Sequence, residues 1–417
     1  MRSVPSADSD SLRHSLWDAG ATGRLQTPTG VRDVLPAEAR ARRQLEAVIR
    51  ETFAEAGYEE VETPICEYEE VFAAAGLVED SWQVYRFFDR EGRTLVLRPD
   101  MTAPIARLAA TRLAGAARPL RLSYIGDVFR YEEVHAGRQR QFRQAGVERI
   151  GGERSVEADL EVLALAGRLL WRCGLERFRI DVGHAQLVQE LVAAGQWPER
   201  EGKAVRRALR ERNYVLLAEL AGERSALPVE PQSPATSPPA GRLPPAGTTA
   251  SLGTSAATAA TASLARELVL ELPRWRGGFE VLAAARARLE PLFVQRPGLA
   301  AALDELEQIL AGAKAAGMQL YDRHGDPGGD RGGSSPGSHA MPSTPLVGVD
   351  LGLVRDLSYY TGPVLEGFVP DLGLVLLTGG RYDRLVEQLG GRPEPATGFA
   401  VGLERLMLAR ERASASR

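Results

Sequence analysis

The stretch that decides the fold is the polar segment FRYEEVHAGRQRQFRQ, residues 129–144. It places four arginines around a single glycine, Gly137, and strands are predicted on both sides of it, over Leu120–Tyr131 and Ala145–Gly151. Two strands joined by a short polar connection are typical of an antiparallel hairpin. The planar guanidinium group of arginine suits phosphate or carboxylate, but a solvated hairpin is often equally polar, so charge alone leaves both interpretations open.

Short strands and flanking helices extend outward from this hairpin. Apolar residues at three- and four-residue spacing predict helices, whereas short apolar runs between turn residues predict strands. The predicted helices are Ala37–Ala56, Val156–Trp171, Val205–Leu220, Tyr382–Leu389 and Gly402–Arg410. The other predicted strands are Glu59–Thr63, Thr94–Leu97, Phe178–Val182, Leu346–Val354, Pro363–Val369 and Leu372–Thr378. Strands without regular intervening helices indicate an α+β protein with an antiparallel sheet of roughly six or seven strands flanked by helices, and not a doubly wound sheet.

Two low-complexity segments interrupt this pattern. Residues 225–263 contain 32 Pro, Gly, Ser, Thr or Ala among 39, which leaves too little apolar area to offset the entropy lost on ordering. Residues 322–345 contain ten Gly or Pro among 24, which is typical of a flexible loop. We therefore divide the chain into a disordered tail (1–25), a core in two parts (26–183 and 346–411), a small, mostly helical insertion (184–320) and a Gly/Pro loop (321–345).

Composition excludes several classes of function. The 51 Lys and Arg residues against 55 Asp and Glu residues give a net charge of -4, so a nucleic-acid partner would need a local basic patch. No apolar run is long enough to span a membrane. The two cysteines, Cys66 and Cys173, form no CxxC pair, and the N-terminus lacks the apolar core of a signal peptide. We expect a cytoplasmic protein without membrane association.

Three further segments carry residues that could bind a ligand, and each also has a structural explanation. In Leu97–Arg107, a capping oxygen at Asp100 or Thr102 with proline in the first turn is also an ordinary helix start. The segment Val354–Gly362 contains a pair of tyrosines, and Thr378–Asp383 contains a pair of glycines. A glycine pair allows either a close approach of the backbone to a ligand or a plain strand-to-helix turn. The five histidines lack metal-ligand spacing, and no HExxH, GxSxG or P-loop pattern is present, so no metal or cofactor is expected.

Together and in this order, these segments resemble the catalytic core of class II aminoacyl-tRNA synthetases, most closely the histidyl branch. Thr27–Pro36 resembles the N-terminal motif of that branch. Phe129–Glu148 resembles the second motif of the class, and Gly398–Arg405 resembles the third. Arg355–Gly362 and Gly379–Asp383 resemble the two histidine-specific motifs. The resemblance covers the chain from the first of these segments to the last, apart from the two low-complexity insertions, and it implies the synthetase fold.

Two families of the histidyl branch differ in function. Histidyl-tRNA synthetases continue after the third motif with an anticodon-binding domain of roughly 100 residues, whereas 12 residues follow Arg405, so we expect no such domain here. The stretch Arg98–Thr102 stands where synthetases typically have Arg-Pro-Glu-Gly-Thr, Ser358 where they have Asp, and Glu133-Val134 where they have Arg-Pro. These differences resemble the regulatory-subunit family of ATP phosphoribosyltransferase, which acts with a short catalytic subunit in the first step of histidine biosynthesis. The alternative is a truncated histidyl-tRNA synthetase or another histidine-adenylate-forming enzyme.

The resemblance implies a set of binding residues but no catalytic residue, cofactor or metal. By motif position, the histidine-binding residues would be Asp100, Thr102, Gln144, Glu148, Arg355, Tyr359, Tyr360 and Tyr382. Arg130 and Arg405 resemble the phosphate-facing arginines of the synthetases and would be vestigial in a non-catalytic subunit.

The resemblance also implies partners. We expect the short-form catalytic subunit as protein partner and histidine as the effector of feedback inhibition. A homodimer paired around Thr27–Ala56 is expected within the hetero-oligomer. Binding of tRNA is not expected, because its phosphate contacts would have to come from Arg138–Arg143 alone.

Overall fold

The computed structural model of the chain describes residues 27–77, 84–131, 139–221, 256–321, 346–354, 359–369, 372–373 and 375–415. The predicted tail (1–25), all but the first residue of the predicted Gly/Pro loop, and Arg355 lie outside these residues. Within them, no helix is both long enough and apolar enough to cross a membrane.

One large sheet dominates the fold, and a small sheet lies beside it. The strands are β1 (Glu59–Glu60), β2 (Cys66–Tyr68), β3 (Arg86–Phe88), β4 (Thr94–Leu97), β5 (Leu120–Phe129), β6 (Gln141–Ile150), β7 (Arg179–His184), β8 (Arg276–Gly277), β9 (Gln319–Leu320), β10 (Leu346–Asp350), β11 (Pro363–Phe368), β12 (Val375–Arg381) and β13 (Ala396–Gly402). The large sheet has ten strands in the order β1-β5-β6-β13-β12-β11-β7-β10-β8, with β9 beside β10, and the small sheet has the order β2-β4-β3.

The centre of the large sheet is antiparallel. Its six central strands, from β5 to β7 in sheet order, all pair with antiparallel neighbours, as the sequence predicts. At the edges, β1 joins β5 in parallel and β10 joins β7 in parallel, so the whole sheet is mixed. The expected count of six or seven strands is therefore too low. The strands of this sheet that were not predicted are β8, β9 and β13. The first two have two residues each, which is too short for an alternation of apolar and polar residues to be visible. The third contains Gly398 and Gly402, and glycine is depleted in strands.

The helices of the described residues cover the sheet and its edges. They are α1 (Pro36–Glu55), α2 (Glu69–Ala74), α3 (Thr102–Ala110), α4 (Val156–Arg172), α5 (Ala185–Ala194), α6 (Glu199–Arg210), α7 (Tyr214–Ala221), α8 (Ala256–Glu271), α9 (Phe279–Leu289), α10 (Pro297–Ala315), α11 (Leu385–Gln388) and α12 (Leu403–Ala415). Burial of their apolar faces against the sheet and against each other, more than intrinsic propensity, stabilises helices of this length.

Three differences between predicted and observed boundaries have a clear physical reason or bear on the site. The helix predicted over Val205–Leu220 is the pair α6 and α7, because Arg212 adopts a left-handed backbone conformation with φ of 53° and the side chain of Asn213 caps α7. The helix α8 begins inside the predicted low-complexity segment 225–263. The alanines at the end of that segment favour helix, and Ala265, which follows the segment, is buried. Tyr382, predicted to begin a helix, instead directly follows β12 and precedes α11.

Two buried apolar clusters lie on opposite faces of the large sheet. Tyr124 and Ile125 are consecutive on β5 but belong to different clusters, which is what the alternation of side chains along a strand requires. The first cluster joins the sheet to α4, α5 and α10, so the helical segment between β7 and β10 shares its core with the sheet. The second cluster contains α3 and three of the tyrosines that the resemblance assigns to a binding site.

Candidate functional site

A cavity of about 400 Å³ lies on the face of the sheet that carries the second cluster. Its lining comes from α3, from β6, β12 and β13, and from the segment before β11. Nine of the ten residues assigned by resemblance are described, and all nine line this cavity: Asp100, Thr102, Arg130, Gln144, Glu148, Tyr359, Tyr360, Tyr382 and Arg405. The tenth, Arg355, lies outside the described residues. The structure thus brings the described candidates together, while their roles in binding stay a prediction.

Glycines on two neighbouring strands make room for the cavity. Glu148 on β6 pairs with Gly398 on β13, and a Cβ atom on Gly398 would overlap the Glu148 carboxyl group. A Cβ atom on Gly379 of β12 would in turn overlap the carbonyl oxygen of Gly398. The pair Gly379-Gly380 therefore lies within a strand and serves close approach, which is the first of the two interpretations that the sequence left open.

Glu148 lies at the centre of the site. Its side chain is 1% exposed; Thr102 Oγ1 donates to Oε1 at 2.7 Å and Tyr382 Oη donates to Oε2 at 2.5 Å. No ion pair to this carboxyl group occurs among the described residues. Burial raises the pKa of Glu148 to about 8, and the nearby charge of Asp100 contributes in the same direction. The carboxyl group is therefore largely protonated at neutral pH unless a cation enters the cavity.

Asp100 combines a structural and a ligand-facing position. Its Oδ1 atom accepts a hydrogen bond from the Ala103 amide at 2.9 Å, which caps the start of α3, while Tyr359 Oη lies 3.4 Å from Oδ2 and donates to it. Burial raises the pKa of Asp100, although the positive charge of Arg130 opposes the shift. The two buried carboxyl groups of the cavity, Asp100 and Glu148, thus receive mainly neutral donors, and a cationic ligand would stabilise their charged forms.

An aromatic cluster forms one side of the cavity. The ring centroids of Tyr359 and Tyr360 are 4.9 Å apart, and those of Tyr359 and Tyr382 are 5.6 Å apart. Tyr360 packs on Gly380, where φ is 153° and a Cβ atom would come within 2.9 Å of the ring. The clustering restricts the ring positions, because such aromatic pairs have preferred geometries.

Gln144 and two arginines also line the cavity. The Gln144 Oε1 atom is buried and has no hydrogen-bond partner within the described part of the chain, so it can accept a hydrogen bond from a ligand. Arg130 donates through Nε to the Pro99 carbonyl at 2.8 Å and lies over the Phe142 ring, and Arg405 donates through Nη1 to the Val375 carbonyl at 2.8 Å. Among the residues described, no group of three or more His, Cys, Asp or Glu side chains could hold a metal ion.

Sequence reasoning missed two parts of the site. The junction of α6 and α7 contributes Arg210 and Arg212 to the lining, and Arg212 Nη2 donates to Glu366 Oε1 at 2.9 Å. These two partners are 154 residues apart and neither lies in a recognisable motif, so no local signal could have linked them. Tyr124, buried close to Thr102 and Glu148, was also missed. Its signal was the facing Gly146, where a Cβ atom would overlap the Tyr124 hydroxyl group.

Fold and cavity together define a protein of the histidyl-tRNA synthetase class. The family model described as histidyl-tRNA synthetase matches residues 30–333 and 338–406. A solved structure from Bacillus halodurans, described as an ATP phosphoribosyltransferase regulatory subunit/histidyl-tRNA synthetase, is 30% identical with a TM-score of 0.68, over 93% of this chain and 84% of that one. A histidine–tRNA ligase subunit from Alicyclobacillus acidocaldarius is 28% identical with a TM-score of 0.70, over 94% of this chain and 99% of that one.

Relatives with curated descriptions place the chain more narrowly. The ATP phosphoribosyltransferase regulatory subunit of Moorella thermoacetica is 38% identical over 93% of this chain and 82% of its own length. That of Symbiobacterium thermophilum is 38% identical over 94% of this chain and 82% of its own length. The chain belongs to the ATP phosphoribosyltransferase regulatory subunit family. The α+β synthetase-like fold and the family expected from the motifs are both confirmed.

Proposed function

We propose that this chain is a non-catalytic regulatory subunit that binds histidine in the cavity around Glu148. Histidine binding there changes the activity of a short catalytic ATP phosphoribosyltransferase subunit. The observation that carries the proposal is the pair of buried carboxyl groups, Asp100 and Glu148, in one cavity with hydroxyl donors and an unpartnered amide oxygen. Such a cavity favours a small ligand that brings both a positive charge and further N–H donors.

Histidine meets both requirements. Its ammonium group can form charge-assisted hydrogen bonds with the carboxylates, and its imidazole N–H group can donate to Gln144 Oε1, which has no other described partner. The tyrosine rings exclude water from one side of the cavity, which strengthens the electrostatic contacts. A volume of about 400 Å³ also leaves space beside an amino acid of this size.

Regulation requires more than binding. Histidine can shift the activity of the assembly only if it binds the inhibited and the active states with different affinity. A cavity lined by elements far apart in the chain, including the α6–α7 junction and β13, supports such a difference, because a rearrangement of these elements changes its shape. Feedback inhibition of the first step of histidine biosynthesis is the regulation that this ligand would serve.

The direct test uses the complete chain and the short catalytic subunit. Turnover of the catalytic subunit is measured with and without this chain, and at rising histidine concentration. We expect this chain to raise turnover and to confer sensitivity to histidine. Unchanged turnover together with unchanged sensitivity would overturn the proposal. Size measurement of the mixture by light scattering tests the hetero-oligomer and the homodimer within it, and fractionation of cells tests a cytoplasmic location.

A second candidate function is formation of histidyl adenylate. Arg130 and Arg405 line the same cavity, and guanidinium groups at such positions could stabilise charge on a phosphate. Histidine-dependent exchange of pyrophosphate into ATP discriminates the two functions. The regulatory proposal predicts no exchange or very little, whereas exchange at the rate of a synthetase would establish an enzyme.

A further inference from the structure

A buried ion-pair cluster lies behind the cavity, on the other side of the sheet. Its centre is Arg381 at the end of β12, whose side chain is 3% exposed. The guanidinium Nη1 atom lies 3.3 Å from Asp159 Oδ2 on α4, and Nη2 donates to Glu305 on α10. His184 at the end of β7 approaches the same Glu305 oxygen through Nε2 at 3.2 Å. One arginine thus joins β12 to two helices of the first apolar cluster.

Arg381 stands between two residues that belong to the cavity side. Gly380 packs against the ring of Tyr360, and Tyr382 donates its hydroxyl group to Glu148. Because consecutive residues of a strand point to opposite faces, the side chain of Arg381 reaches the helices while its two neighbours face the cavity. A change in the position of Arg381 therefore also displaces its chain neighbours at the proposed binding site.

Hydrogen bonds also fasten the Tyr360 segment to Arg381. The Thr361 amide donates to the Arg381 carbonyl at 2.9 Å, and Thr361 Oγ1 donates to Asp383 Oδ2 at 2.8 Å while accepting from the Asp383 amide at 2.9 Å. Gly362 lies against the guanidinium group, where a Cβ atom would overlap Arg381 Nε. The segments that carry Tyr360 and Tyr382 are thus held as one unit around Arg381.

The cluster depends on arginine in particular. Burial raises the pKa of Asp159 to about 6, and burial together with the charge of Arg381 lowers the pKa of His184 to about 3. His184 is therefore neutral, and since a carboxylate only accepts, its Nε2–H group donates to Glu305 and leaves Nδ1 without a described partner. Arg381 is the buried cation that faces both carboxylates. A lysine could not reach two carboxylates with a planar fork.

We propose that Arg381 is a positioning residue for the effector site: its guanidinium group sets Tyr360 and Tyr382 in the cavity and connects that cavity to α4 and α10. Buried ion pairs contribute little net stability because desolvation offsets their attraction. A fixed geometry for the tyrosines is the function that this cluster supplies. The proposal rests on histidine binding in the cavity, as proposed above.

The test compares two variants of the complete chain with a matched control. Arg381→Lys removes the fork, and Glu305→Gln weakens its anchor on α10, which Arg381 shares with the half-exposed Arg154. Arg179→Lys is the control, because Arg179 forms a two-bond pair with Asp181 on β7 while its own chain neighbours, Phe178 and Ile180, do not line the cavity. Histidine affinity is measured by calorimetry, stability by thermal unfolding, and ring placement by the change in near-ultraviolet circular dichroism on adding histidine.

We expect Arg381→Lys and Glu305→Gln to weaken histidine affinity about tenfold or more and to reduce the dichroism change, because a supporting residue fixes the geometry of a site. The unfolding temperature of the control is expected to fall by a similar amount, but the control should bind histidine like the unaltered chain. The inference is wrong if both variants bind histidine like the unaltered chain, or if the control loses as much affinity. Should Arg381→Lys not fold, Glu305→Gln decides alone. An unaltered chain that binds no histidine overturns the proposed function itself, and with it this inference.

Discussion

Glu148 and Gly398 face each other across neighbouring strands, and the space of the missing side chain on Gly398 is filled by the Glu148 carboxyl group. The carboxyl group can lie flat against the sheet only because its strand neighbour has no Cβ atom. From there it reaches the hydroxyl groups of Thr102 and Tyr382. The proposed effector site therefore depends on a position that contributes no functional group of its own.

Replacement of Gly398 by alanine is expected to abolish detectable histidine binding. The new methyl group displaces the Glu148 carboxyl group, and overpacking of a fixed site costs about 1–3 kcal/mol of unfolding free energy. Calorimetry and urea unfolding measure the two effects. Gly115→Ala is the control, because a Cβ atom there meets nothing within 4 Å and should leave both quantities nearly unchanged. Normal binding by the Gly398→Ala variant would contradict the arrangement described here.

Replacement of Glu148 by glutamine is expected to stabilise the ligand-free chain at alkaline pH. Burial raises the pKa of Glu148 from 4.5 to about 8, so the folded chain holds a proton there that the unfolded chain releases. The resulting stabilisation is complete below about pH 4.5 and is lost as pH rises through about 8. At pH 8 the variant should exceed the unaltered chain by on the order of 4 kcal/mol, since one unit of pKa shift corresponds to about 1.4 kcal/mol.

Urea unfolding between pH 5 and pH 9 measures how the difference in unfolding free energy between the Glu148→Gln variant and the unaltered chain changes with pH. The control is Glu51→Gln, at an exposed position. If the Glu148→Gln variant and the unaltered chain show the same pH dependence, the carboxyl group does not hold the extra proton.

Histidine binding is expected to release a proton near neutral pH. The ligand-free cavity holds Glu148 largely protonated, and an ammonium group bound beside it favours the carboxylate. Affinity should therefore rise as pH increases from 7 towards 8. Calorimetry at pH 7 in buffers of different ionisation enthalpy counts the released proton. The Glu148→Gln variant provides the comparison, since it has no proton to release; an equal proton count for both chains would show that another group titrates.

Replacement of Tyr360 by alanine is expected to relieve feedback inhibition while leaving assembly with the catalytic subunit intact. The ring fills one side of the cavity and packs on Gly380, so its loss opens the site to water. The histidine concentration for half-inhibition should rise about tenfold or more. Tyr68→Ala, which removes a partly exposed ring outside the cavity, is the control. Unaltered inhibition with Tyr360→Ala would disprove the proposed pocket.

Most strands of the antiparallel centre were predictable because they are long enough to show a pattern, whereas β13, which contains Gly398 and Gly402, was not predicted. The predicted strand Pro363–Val369 differs from β11 by one residue, and in the small sheet the predicted strand Thr94–Leu97 agrees residue for residue with β4. The break between α6 and α7 was not visible, because it depends on the backbone of Arg212, which is not a glycine. Two-residue edge strands follow from tertiary packing and leave no local signal.

The site residues that lie in motifs could be predicted from the sequence. The residues that reach the site only through tertiary packing could not. Every described residue assigned by resemblance lines one cavity, including Asp100 and Thr102, which local reasoning alone explained as a helix start. In contrast, Arg381 lies in a recognised motif but was assigned no role, and its partners Asp159 and Glu305 lie in no motif. Long-range ion pairs of this kind depend on the folded topology, and a single sequence does not contain them as a pattern.

The pairing of β6 with β13 also has a consequence for protein synthesis. Val147 lies beside Phe399 in the sheet, although the two residues are made far apart in time. A nascent chain still attached to the ribosome carries Asp100, Gln144 and Glu148 long before β13 emerges to close the cavity. The proposed effector site can therefore form only after β13 has been synthesised and has paired with β6.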